Sequence, residues 1–130
     1  MYERKTIPNL NCGLDLIGEV LYGKWKIRLL YFIDQGYKRP SELQRKIPDA
    51  SKRVLNFQLK ELEEHELIDR MVYAVVPPKV EYNLTVFGKS LIPVIEALGQ
   101  WGDANEEILR RVIIKKLETK DLEFGIRTDS

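Results

Sequence analysis

The 130-residue chain is expected to fold as a mainly α protein carrying one small β-hairpin, an α+β arrangement. Three observations carry that expectation. Apolar residues recur at intervals of three and four through most of the chain, the period of helices buried on one face. The period changes after Leu67, where 68–76 and 80–84 are rich in β-branched and aromatic residues. Between those two runs stands Pro77-Pro78-Lys79, a stiff tip unlike a tight Asn-Gly turn, so the hairpin should project as a short wing.

Composition frames the rest. The chain is long enough for one domain over 1–130 with its own core, without staples. Its 44% hydrophobic and 32% charged residues are those of an ordinary soluble protein. No apolar run reaches the roughly 18 residues of a membrane span. Met1-Tyr2-Glu3-Arg4-Lys5 is charged and leads into no apolar signal core, so a cytoplasmic location is expected. A single cysteine, Cys12, excludes an internal disulfide framework.

In chain order, residues 1–11 read as loosely ordered, with Pro8 and two asparagines. A first helix over 14–21 follows Cys12-Gly13, with Leu14, Ile17, Val20 and Leu21 on its apolar face. A second, over 24–34, is apolar on much of its circumference and should lie at the centre of the core. Gly36 is a candidate to end it. A short third helix begins at Ser41, a candidate N-cap, and buries Leu43 and Ile47. Pro48 disfavours helical geometry at Ile47, and Asp49-Ala50 carries a turn. Ser51 is the next candidate cap, followed by a longer helix whose apolar stripe is Leu55, Leu59 and Leu62, with Leu67 continuing the trend.

After the hairpin, Thr85 can cap a helix over 86–99 with Phe87, Leu91, Val94, Ile95 and Leu98 at helical spacing. Pro93 falls inside it and should kink it or start a new segment. A last helix over 104–117 sets Ile108, Leu109, Val112, Ile113 and Leu117 to one side, and the polar tail 118–130 is expected to fray.

The stretch 39–67 organises the chemistry. It reads as helix, tight turn, helix, and the hairpin follows at once. That element order is a winged helix-turn-helix, and the conjunction is far more specific than either half. Between Lys38 and Lys60 there are seven basic and two acidic side chains, a local excess of five, although the whole chain carries only +1. Glu61, Glu63, Glu64 and Glu66 come directly after. The positive field is thus confined to the proposed reading head, as suits a sequence-specific DNA binder. Ser51, Lys52 and Arg53 would meet phosphates or base edges. Asn56 and Phe57 would read bases, Phe57 through a thymine methyl, unless its ring turns into the core. Lys60 extends the basic face, and Arg39 and Ser41 would hold the DNA backbone. Arg70 at the base of the wing and Lys79 at its tip would meet phosphates or the minor groove. The plainer readings are a solvated helix and a hairpin that merely closes the core.

A minimal reading head needs only three helices and a hairpin. The apolar faces of the first helix and of the two after the hairpin therefore lack cover, which points to a homodimer with extra N- and C-terminal dimerisation helices and a palindromic site. Enzyme readings lack support. His65 is the only histidine, and no phosphate loop, dinucleotide fingerprint, cofactor or metal motif is present. The serious rival is a winged-helix protein–protein docking module without specific DNA binding.

The sequence resembles the HxlR-type winged helix-turn-helix regulators of bacteria and archaea. The resemblance rests on Cys12 with Gly23-Lys24-Trp25, Ser41-Glu42-Leu43 with Ile47, Ser51-Lys52-Arg53-Val54-Leu55, and Gln58-Leu59-Lys60-Glu61-Leu62-Glu63. It continues through Leu67-Ile68, the run from Pro77 to Thr85, Gly88 and Trp101-Gly102. It covers 14–102 as the family core, leaving 103–130 as a helical extension and tail. The resemblance implies a homodimeric repressor or activator on double-stranded DNA, with no catalytic activity. Pro40 departs from it, standing where an aromatic residue is common, as does Gly13, where proline is common. In some members an early cysteine senses electrophiles or oxidants, which makes Cys12 a candidate redox sensor. Arg4, Lys5 or a helix start beside it would favour the reactive thiolate. The alternative is a small buried hydrophobe with no such role.

Overall fold

A computed structural model describes residues 10–123, with side chains through residue 120. The elements are α1 (Gly13–Val20), α2 (Lys26–Asp34), α3 (Pro40–Lys46), α4 (Lys52–Glu64), β1 (Ile68–Tyr73), β2 (Lys79–Leu84), α5 (Val86–Ala104) and α6 (Glu106–Glu123). The order is the expected winged helix-turn-helix. The chain divides into two compact units, Met1–Ile92 and Pro93–Ser130.

In the first unit, α2 is the central helix. Leu29, Leu30 and Ile33 are buried along it. It starts at Lys26, later than expected, because Lys24 and Trp25 lie in the preceding turn. It ends through Gly36 at φ 105°, where the Gly36 N–H bonds Ile33 O and the Tyr37 N–H bonds Phe32 O. That left-handed closure needs glycine's freedom.

α3 corrects one expectation. Ser41 does not cap it. The N-cap is Arg39, Pro40 opens the first turn, and Glu42 Oε1 accepts the backbone N–H groups of Arg39 and Lys38, both at 3.1 Å. Proline fits that first position because its missing N–H would have no helical partner there. The turn that follows is tied by Gln44, whose Nε2 donates to Ala50 O at 2.6 Å and to Ile47 O at 3.4 Å. Ser51 caps α4 as expected, its Oγ accepting the Val54 N–H at 3.1 Å. Leu55, Leu59 and Leu62 are buried, each stabilising the fold by about 1.5–3 kcal/mol.

α4 stops at Glu64, before Leu67. The Leu67 N–H bonds Leu62 O and the Glu66 N–H bonds Glu63 O, with Glu66 at φ 63°. This is a Schellman closure with glutamate where glycine is usual, and it turns Leu67 into the core. Glu66→Gly is therefore expected to stabilise the protein by about 1 kcal/mol, since it relieves a left-handed backbone that side chains disfavour. A urea midpoint that fails to rise would contradict this.

The hairpin is antiparallel, in register from Ile68 opposite Leu84 to Tyr73 opposite Lys79. β1 ends at Tyr73, short of the expected 76, so the tip runs over residues 74–78. On the outer edge of β2 the Tyr82 N–H bonds Lys38 O at 2.8 Å, fixing the wing to the α2–α3 connection. At its base Thr85 Oγ1 donates to Glu66 O at 2.7 Å and accepts the Gly88 N–H at 2.9 Å. Gly88 presses against this corner, and a Cβ there would overlap Leu67 O.

Helix α5 continues through Pro93 to Ala104, past the expected end at 99. Asn105 joins it to α6: its Nδ2 donates to Trp101 O at 2.9 Å, and its own carbonyl accepts the Leu109 N–H. In the second unit α6 stays helical to Glu123, so the fraying expected from 118 does not hold through that residue. The Glu106–Arg110 pair, one turn apart at 2.8 Å, supports its start. Residues 1–9, including Arg4, Lys5 and Pro8, and the tail 124–130 lie outside the described residues.

Candidate nucleic-acid interface

The helix-turn-helix and the wing enclose one cleft of about 840 Å³. Arg39, Pro40, Ser41, Gln44 and Arg45 line it from α3 and its cap, Lys52, Leu55 and Asn56 from α4, and Val75 to Val80 from the wing. The turn geometry explains the convergence. α3 and α4 are held in a fixed relation by the Gln44 bonds, and the Tyr82–Lys38 bond holds the wing beside α3. Ser41, Gln44 and Arg45 follow at helical spacing on α3, and Lys52 and Asn56 are one turn apart on α4.

Electrostatics organise the wing side. Glu81 Oε2 lies 3.7 Å from both Arg39 Nε and Lys79 Nζ. Lys79 also sits over the Tyr73 ring, 4.8 Å from its centroid. These contacts restrain two cations that would otherwise sample many rotamers. Each pair is partly solvated, so each contributes orientation more than stability. Beyond Lys79 the tip is apolar and uncovered, with Val76 99% exposed.

Of the expected DNA-contacting residues, the cleft gathers Arg39, Ser41, Lys52, Asn56 and Lys79. Ser51 and Arg53 are exposed at the start of α4, and Lys60 is exposed two turns beyond Lys52. Phe57 is half-buried and does not line the cleft. Arg70 stands apart. It is opposite Tyr82 in the ladder, away from the tip. Burial pushes the Tyr82 phenol above its ordinary pKa, against the opposite pull of Arg70. Sequence reasoning did not single out Gln44, Arg45, Val75 or Val76. Helical spacing from Ser41 could have found the first two; the last two needed the true end of β1.

Cys12 is exposed and is the N-cap residue of α1, without a side-chain capping bond. Among the described residues no group of three or more His, Cys, Asp or Glu is arranged to hold a metal ion. No described helix is long and apolar enough to cross a membrane.

Comparison with known proteins agrees with this geometry. The family model for the HxlR-like helix-turn-helix matches residues 20–110. The HTH-type transcriptional regulator YkvN of Bacillus subtilis (strain 168) is 48% identical over 96 residues, covering 74% of this chain and 81% of that protein. The solved structure of the redox regulator HypR in its reduced form superposes with a TM-score of 0.73 at 40% identity, covering 77% of this chain and 99% of HypR. Its oxidised form gives a TM-score of 0.69 at 42% identity, covering 72% and 97%.

Proposed function

This chain belongs to the HxlR-like helix-turn-helix family, and on that premise we propose that it is a DNA-binding transcriptional regulator acting as a homodimer on a palindromic operator. The observation that carries the reading is the cleft, in which Arg39, Ser41, Lys52, Asn56 and Lys79 from three elements face one groove. The start of α4 enters the major groove. Asn56 presents an amide that matches adenine's donor and acceptor edge, while Lys52 and Arg53 meet phosphates or guanine. Ser51 keeps its hydroxyl proton free for a phosphate while its oxygen caps the helix. Arg39, Ser41 and Lys79 hold the backbone on either side, and Lys60 adds charge farther along. Arg70 contributes least, because it lies away from the tip and outside the cleft. No reaction is assigned: the site is built to bind.

A second copy covers the apolar residues that one chain leaves open. Leu14 is 82% and Trp101 61% exposed, and Leu98, Ile108, Val112 and Leu117 are also exposed along α5 and α6. Single exposed leucines need no explanation, but runs along three helices do. Sedimentation with and without duplex DNA tests this. The expected species is a dimer that adds one duplex; a monomer at micromolar concentration that binds DNA alone would remove the palindromic reading.

Cys12 supplies a redox input, in keeping with the likeness to HypR. A two-electron thiol oxidant would take two electrons and two protons from two Cys12 thiols, leaving one disulfide between chains. Alternatively, a peroxide would be attacked by a single Cys12 thiolate, its O–O bond breaking as the S–O bond forms, leaving sulfenic acid and hydroxide. Operator affinity is expected to change on oxidant treatment in the native protein and not in Cys12→Ser. An equal response of both proteins would retire Cys12 as the sensor.

A further inference from the structure

The inner face of α4 carries polar groups that the cleft does not use. Gln58 is 5% exposed, and Lys26, facing it from the start of α2, is 1% exposed. Lys26 Nζ lies 3.0 Å from Glu61 Oε1, and Gln58 Oε1 accepts the Trp25 backbone N–H at 2.9 Å. Every buried side-chain polar atom among the described residues has a partner. α4 is thus joined to the beginning of α2 at two polar points, one helical turn apart.

The Lys26 end of this pair is buried while the Glu61 side chain is 33% exposed, and such an ion pair is a poor source of stability. The loss of hydration offsets the attraction, and replacing the whole pair by apolar groups of similar size is often neutral or stabilising. What such a pair adds is direction. The Leu55, Leu59 and Leu62 stripe holds α4 against the core, but apolar contact tolerates small rotations about the helix axis. A hydrogen bond and an ion pair between fixed atoms do not. With side-chain ends about 5–6 Å from the axis, a rotation of about 20° would move them about 2 Å, enough to break a base-edge hydrogen bond.

We infer that Lys26 and Glu61, with Gln58, are positioning residues that set the rotation of α4 and hence the aim of Lys52 and Asn56 at the DNA. This rests on the proposed reading role of α4. The test compares the native full-length chain with Lys26→Met/Glu61→Leu and with Glu61→Gln, which keeps an acceptor for Lys26. Thermal midpoints are measured, and then affinities for a selected operator and for random duplex, well below every midpoint.

The double variant is expected to keep or raise its midpoint. Its operator affinity should fall about tenfold or more, the loss of a base-edge pair, while random-duplex affinity stays within about twofold because phosphate contacts survive. Glu61→Gln should keep most of the operator preference. A purely structural pair would not move the operator-to-random ratio. A double variant that discriminates as well as the native chain, or one that fails to fold, would overturn the inference. If the native chain prefers no duplex at all, the reading role of α4 fails, and the inference fails with it.

Discussion

Arg39→Ala combined with Lys52→Ala is expected to weaken duplex binding by about two to three orders of magnitude near physiological salt. In the proposed homodimer the two substitutions would remove four cations placed to meet phosphates, and each neutralised phosphate adds about 0.9 to the slope of log K against log salt. The slope should therefore fall in magnitude by about 3 to 4. The fold should be indifferent, since both side chains are exposed and Arg39 caps α3 through its backbone rather than its guanidinium. Fluorescence titration over a salt series checks both numbers. An unchanged slope would mean that these cations do not meet DNA, and a docking module would then account better for the cleft.

Gly88→Ala is expected to destabilise the protein by about 3 kcal/mol, at the upper end of overpacking penalties. The added methyl would meet the Leu67 carbonyl, which already accepts the Thr85 N–H at 3.1 Å. Backbone cannot step aside as a flexible side chain can, so the corner joining α4, β2 and α5 must open. Urea unfolding should show the lower midpoint with little change in slope. A loss below about 1 kcal/mol would show that the corner can relax.

Much of this architecture could be read from the residues themselves. The Leu55, Leu59, Leu62 stripe gave α4, Ser51 gave its cap, and the change of period after Leu67 with Pro77-Pro78 gave the wing. Those signals are local, so sequence carries them. Ser41 misled, because a capping serine competes with a proline at the first helical position, and here Pro40 took that position with Arg39 as cap. Glu66 gave no sign of its left-handed backbone, since glutamate is not a turn residue; tertiary closure on Leu67 imposes it. Nothing in the sequence marks Lys26 as buried. Its burial depends on Glu61, which lies far along the chain and meets it only once α2 and α4 pack. The cleft was half legible: the cations and Asn56 follow from composition and spacing, whereas Gln44, Arg45 and the valines of the tip join it only through the turn and the hairpin register.

The measurement that tests the central reading most directly is a selection from random duplex DNA by the native chain and by Asn56→Ala in parallel. The native chain is expected to enrich an inverted repeat. The variant should enrich the same repeat with preference lost at one symmetric pair of positions, at about 1–3 kcal/mol each. No enriched sequence for the native chain at low salt would contradict the account. An unaltered motif in the variant would remove Asn56 from base reading.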